Sequence, residues 1–265
     1  MLPHPIYSKH MAIYTRFEYE GRHNYGVLNG GVIDELHGSL FSEPETTGRQ
    51  FILDDVKLIA PCEPPKILAV GLNYKSHLGS RPAPASPEMF YKPISCLQNP
   101  GDPIRIPTDS EDAHFEGELV VVIGRPVHHA SPEEAAEAVF GVTCGNDVSD
   151  RNWQRNTDRQ WWRAKGCDTF GPLGPWIVTG LDYSDLALQT RVNGEVLQEQ
   201  RTSDLLFDVP TVISFVSRYV TLVPGDVIYT GTPGNTKRMN PGDVVEVEIE
   251  GIGVLRNPVV LSDVR

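Results

Sequence analysis

Turn-forming residues interrupt this chain so often that few long helices fit between them. It carries 24 glycines and 22 prolines in 265 residues, and both residue types end helices and mark turns. Short apolar runs lie between the breaks. Residues 12–40 read as strands separated at Glu20-Gly21, Asn29-Gly30-Gly31 and Gly38. KILAVG, IRIP and ELVVVIG read as buried strands, and RVNGEVLQ as a hairpin turning at Asn193-Gly194. GDVIYTGTPG and GDVVEVEIEGIGVLRNPV add further strands near the C-terminus. Two helices are expected. One is SPEEAAEAVFG, with Ser131 as cap, Pro132 in its first turn and Glu134 completing a capping box. The other lies within residues 203–220, where Pro210 interrupts it. The fold class is mainly β (α+β) with a few helices, and the core is either barrel-like or a sandwich.

The proline-rich joint Pro61–Pro65 suggests a boundary. We expect a short extension over residues 1–10, a small N-terminal domain over 11–60 and a main domain over 61–265. Residues 76–87 (SHLGSRPAPASP) hold three prolines and a glycine, so they form a surface loop or a lid.

The formal net charge of −12 argues against binding nucleic acid through its phosphates and against an anionic membrane surface. No run approaches the roughly 18 apolar residues a membrane helix needs, and the start of the chain lacks the apolar core of a signal peptide. Cys62, Cys96, Cys144 and Cys167 show no CxxC spacing. They fit free thiols in a reducing compartment, and the expected location is cytoplasmic.

In FEGEL, residues 115–119, Glu116 and Glu118 share one face of a strand that runs into VVVIG. Like charges so close repel. Solvent relieves this on an open edge, and a divalent cation relieves it in a core. Asp147, at the end of FGVTCGND, offers a third oxygen donor. From spacing alone, a solvated strand face and a metal site remain equal readings.

Several stretches in order resemble the fumarylacetoacetate hydrolase family. They are GLNYKSH (71–77), MFYKP (89–93), FEGELVVVIGR (115–125), NDVSDRNWQ (146–154), AKGCDTFGPLGPW (164–176) and PGDVIYTGTPGN (224–235). The resemblance covers about Met11 to Val260. It implies a β-rich, barrel-like core with a small N-terminal domain and a homodimer. It also implies Mg²⁺ or Mn²⁺, with Ca²⁺ as a substitute, and a small 2-oxo or 1,3-dioxo acid as substrate. The same resemblance assigns Glu116, Glu118 and Asp147 to the metal. It assigns His77, Lys165 and Thr232 to catalysis, and Gln154, Tyr74, Lys92 and Arg151 to substrate. Where many family members have a glutamate three residues after the lid histidine, this chain has Ser80. C–C hydrolysis of an acylpyruvate ranks first on family frequency, followed by oxaloacetate-type decarboxylation and by isomerisation or hydration of an unsaturated 2-oxo acid. A metal-binding module without catalysis is the alternative of a different class. His114, on the same strand face as Glu116, could support the site from behind, whereas His128 and His129 read as surface loop.

Overall fold

The computed structural model describes residues 10–42, 44–158 and 160–262. The extension expected over residues 1–10 lies outside them except for His10. The chain is mainly β with few helices, as expected. The largest sheet runs in the order Glu45–Ile52, Val32–His37, Arg22–Asn29, Ala12–Tyr19, Gly171–Thr179, Val139–Asn146, Gly117–Ile123, Val227–Tyr229, Ile67–Gly71 and Glu88–Lys92. Lys57–Ile59 pairs with Ala12–Tyr19, and Leu97–Gln98 with Gly171–Thr179. A five-stranded sheet contains Glu195–Arg201, Ala187–Val192, Val244–Ile249, Gly253–Leu261 and Ile104–Ile106.

The strand Gly117–Ile123 is buried along its whole length, and its alternation feeds two cores. Leu119, Val121 and Ile123 pack in a cluster with Leu188, Val247 and Ile249 of the second sheet. Val120 and Val122 enter another with Ile67, Phe115, Phe140 and Tyr229. A strand covered on both faces has no polar side, which is why VVVI reads as a continuous apolar run. Each such side chain contributes about 1.5–3 kcal/mol by leaving water. A Cβ on Gly117 would stand 2.0 Å from Thr190 Oγ1. The glycine between the two glutamates is there because the second sheet presses against it.

Turn chemistry was well marked. Asn193 and Gly194 both have positive φ (53° and 83°), as a two-residue hairpin requires. The turn at Glu20-Gly21 is built the same way. Two helical expectations need correction. The first helix covers only Pro132–Ala136; its capping box is present, but Val139 pairs with Ile123 and starts a strand. Pro210 does not interrupt the second helix. It lies in the first turn of Val209–Ser217, behind the Asp208 cap, where a missing N–H costs nothing. Among the described residues, no helix is long and apolar enough to cross a membrane.

Candidate active site

Glu116 and Glu118 sit where the Gly117–Ile123 strand begins, and Asp147 follows directly on the neighbouring strand Val139–Asn146. Gly117 pairs with Asn146, so strand register alone brings the three carboxylates together. Their ligand oxygens lie within 4.8 Å of one another, and all three residues are buried. Backbone contacts fix the corner: Asp147 N–H donates to Glu116 O at 2.9 Å, and Glu116 N–H to Asn146 Oδ1 at 2.9 Å.

Three buried cations face these carboxylates. Lys165 Nζ donates to Glu116 Oε2 at 2.5 Å and to Asp147 Oδ2 at 2.6 Å. Lys92 Nζ donates to Asp147 Oδ1 at 2.6 Å and to the carbonyl of Lys165. Arg151 pairs with Glu116 Oε1 and donates to Gln154 Oε1 at 2.7 Å. Burial pushes the Glu116 carboxyl up, but Arg151 and Lys165 outweigh it and hold the group well below the usual carboxylate range. Glu118 differs. Burial, then Asp147 and Glu116, push it well above that range, and the hydrogen bond it receives comes from Gly231 N–H at 2.7 Å. A buried carboxylate destabilised by two like neighbours is a cluster that gains from an added positive charge. All three donors are hard oxygens, the set that suits Mg²⁺ or Mn²⁺. The residues therefore fit a divalent cation.

The loop after Val227–Tyr229 ties the site together. Gly231 has φ 105°, and a Cβ there would lie 2.7 Å from Asn73 Cβ, so only glycine fits. Thr232 Oγ1 donates to Gly117 O at 2.9 Å and accepts from Gln198 Nε2 at 2.9 Å. Gly234 O accepts from His77 Nδ1 at 2.6 Å. That carbonyl fixes the tautomer: Nδ1 carries the proton, and Nε2 is left as the free base. Nε2 lies 3.8 Å from Glu116 Oε1. Burial lowers the pKa of His77 below 6.5, although Glu116 pulls the other way.

A cavity of about 130 Å³ collects His77, Glu116, Glu118, Arg151, Gln154, Lys165 and Thr232 in its wall. Lys92 and Asp147 back this wall. Tyr74 is fully buried outside it, and its hydroxyl has no hydrogen-bond partner. His114 bonds to Asp112 and Thr236, and Thr236 also accepts from Arg151, so its link to the site is indirect. The sequence did not point to Arg81, Arg155 or Trp161, which also line the cavity, nor to Gln198, which props up Thr232 and Gly117 N. Glutamine on a hairpin strand carries no signal of its own. Arg81 was hidden by the proline-rich loop beside it.

Ser80 is exposed and outside the cavity wall, and Glu88 is exposed at the start of its strand. The segment 78–87 has no helix or strand. Limited proteolysis of the free protein is expected to cut within it first; protection there equal to that of the sheet would remove the lid.

The profile described as Fumarylacetoacetate (FAA) hydrolase C-terminal matches residues 66–260. This chain belongs to the fumarylacetoacetate hydrolase family. A second profile, Rv2993c-like N-terminal, matches residues 14–61. Family relatives bear differing names. The oxaloacetate tautomerase fahd2 of Xenopus laevis mitochondria is 40% identical over 220 residues, covering 78% of this chain and 69% of its own. A crystal structure from Mycobacterium marinum named 2-hydroxyhepta-2,4-diene-1,7-dioate isomerase is 42% identical, with a TM-score of 0.89 over 96% of this chain and all of that one. A maleylpyruvate hydrolase from Sphingobium, solved with manganese(II) and pyruvate, is 28% identical, with a TM-score of 0.79 over 95% of this chain and all of that one. The family thus includes proteins named for tautomerase, isomerase and hydrolase reactions.

Proposed function

We propose that this protein is a divalent-metal-dependent enzyme that moves a proton at C3 of a small 2-oxo acid, as a tautomerase or isomerase. One observation carries the reading: His77 presents a single free base atom, Nε2, to the cavity, and no carboxylate stands at position 80 to help it activate water. Abstracting a carbon-bound proton next to a carbonyl needs one base and a stabilised enolate. Hydrolysis of an acylpyruvate, first in the sequence-based ranking, needs water activated as well. Relatives named tautomerase and isomerase at 40% and 42% identity support the same choice.

Glu116, Glu118 and Asp147 would hold Mg²⁺ or Mn²⁺, with Ca²⁺ as a substitute. The bound ion would act as a Lewis acid on the 2-oxo group. His77 Nε2 takes the C3 proton as the C–H electron pair becomes the enolate π bond. The imidazolium then returns the proton to the enolate oxygen, giving the enol and restoring the base. Arg151 has a buried Nε with no hydrogen-bond partner, a donor suited to the substrate carboxylate. Gln154, held by Arg151, orients the same end. Lys165 keeps a positive charge beside the developing enolate. Thr232 acts by position, since its hydroxyl already serves Gly117 and Gln198. Lys92 holds Asp147, and Tyr74 stands behind Glu118.

The four free cysteines support a reducing compartment, the cytoplasm or, as in the frog relative's name, a mitochondrion. The open edge strand Glu88–Lys92 with exposed Tyr91, next to exposed Ile94, supports a homodimer. Sedimentation of a lone protomer would remove that assignment.

The test is decay of the enol absorbance of a 2-oxo acid, with C3 proton–deuterium exchange read by NMR, in Mn²⁺ and then in excess EDTA. Metal-dependent exchange without cleavage products is expected. Cleavage of an acylpyruvate without exchange of intact substrate would overturn the assignment in favour of hydrolysis, and full activity in EDTA would remove the metal.

A further inference from the structure

We infer that Arg81 and Arg155 form a second carboxylate-binding pair at the rim of the cavity, which selects a 2-oxo acid carrying two carboxylates over one carrying a single carboxylate. This rests on the proton-transfer reading and adds the substrate class to it. Both arginines are exposed and line the same cavity as His77 and Glu116. Arg81 lies in the loop that follows His77, and Arg155 in the helical turn Trp153–Thr157, next to Gln154. They come from separate segments of the chain yet line one cavity.

Charge balance separates them from the other cations. Glu116, Glu118 and Asp147 are matched in number by Lys92, Arg151 and Lys165, each of which touches at least one of the carboxylates. Arg81 and Arg155 are in excess of that balance. Among the described residues, neither has a carboxylate at ion-pair distance; Arg81 Nε donates to the carbonyl of Leu78 at 3.3 Å. A chain of net charge −12 has spare carboxylates to neutralise a surface arginine, yet those that act on Arg155, Asp112 and Glu116, stand beyond ion-pair distance. Both line one cavity, and the pKa of Arg155 is lowered by partial burial and then by Arg151 and Arg81, with Asp112 and Glu116 pulling the other way. Guanidinium groups that line one cavity with no carboxylate at ion-pair distance form a site whose repulsion an anion relieves. Glu116 and Glu118 of the carboxylate triad line the same cavity, so this anion is the remote group of the substrate. Planar guanidinium groups suit a carboxylate, which accepts two parallel hydrogen bonds.

The experiment compares wild type with the Arg81→Gln/Arg155→Gln double variant. The substrates are oxaloacetate and its 4-methyl ester, which shares the 2-oxo acid and C3 protons but lacks the second charge. The wild type is expected to prefer the dianion. The variant should lose about 10- to 100-fold in kcat/KM for the dianion, mainly through KM, with the ester changed less than twofold. An equal loss on both substrates, or no loss on either, overturns the pair. If the wild type turns over neither substrate, the proton-transfer reading fails, and binding then judges the arginines by themselves. In metal-loaded protein, titration calorimetry should show 2-oxoglutarate binding at least tenfold tighter than 2-oxopentanoate, an advantage lost in the variant. Equal binding of the two acids by wild type overturns the pair.

Discussion

Replacing His77 with asparagine is expected to lower kcat by about 100- to 10,000-fold, the usual contribution of a positioned general base. The fold should survive, because the asparagine amide can still donate to the Gly234 carbonyl and no buried charge is stranded. KM should change little, since the imidazole acts on the C3 proton and not on the carboxylate. The pH profile supplies a second readout. The base works only when neutral, and burial lowers its pKa below 6.5. Activity should therefore be complete at neutral pH and fall as pH drops through a value below 6.5. A bound cation would push this acid limb further down. A variant within threefold of wild type, or an acid limb clearly above 6.5, would rule His77 out as the base.

The Glu116→Gln variant should lose both activity and stability. Glu116 answers two buried cations, Arg151 and Lys165, and accepts from Ser149 Oγ at 3.2 Å. The amide keeps the shape and removes the charge, leaving a guanidinium and an ammonium short of their partner. Breaking a buried pair on one side typically costs about 3–5 kcal/mol, which a thermal melt would resolve. The same variant should lose the rise in melting temperature that Mn²⁺ gives wild type. An unchanged melt together with an unchanged response to Mn²⁺ would mean that Glu116 is neither a structural partner nor a ligand.

Part of this site was legible in the sequence for a physical reason. Strand alternation places Glu116 and Glu118 on one face, and the apolar run VVVIG after them argues against full exposure, although spacing alone left a solvated face open. Asn193-Gly194 announced its hairpin because positive φ at both positions restricts the choice of residue. Other features carried no such mark. Glu45–Ile52 was missed because most of its residues are exposed, so no apolar alternation reveals a strand. The helix predicted over residues 131–141 failed at Val139 because the edge of Gly117–Ile123 captured that residue by backbone pairing, a tertiary effect absent from local propensity. Lys92 and Lys165 lie 73 residues apart in sequence yet meet on Asp147. Distance along the chain hides such a contact from any reading of spacing.

The parallel pairing of Val227–Tyr229 with Ile67–Gly71 has a consequence for how the protein is made. His77 is synthesised early, but the carbonyl that sets its tautomer belongs to Gly234. The backbone N–H that holds Glu118 belongs to Gly231. A nascent chain on the ribosome can build the acidic corner at residues 116–147 well before it has the loop that closes over it. Contacts this far apart in sequence form slowly, because a long loop must close before they give any return. Until residues 227–234 dock, Glu118 lacks its backbone N–H donor and His77 lacks the carbonyl that orients its imidazole. Catalytic competence therefore arrives as one of the last events of folding, and its appearance should track completion of the central sheet.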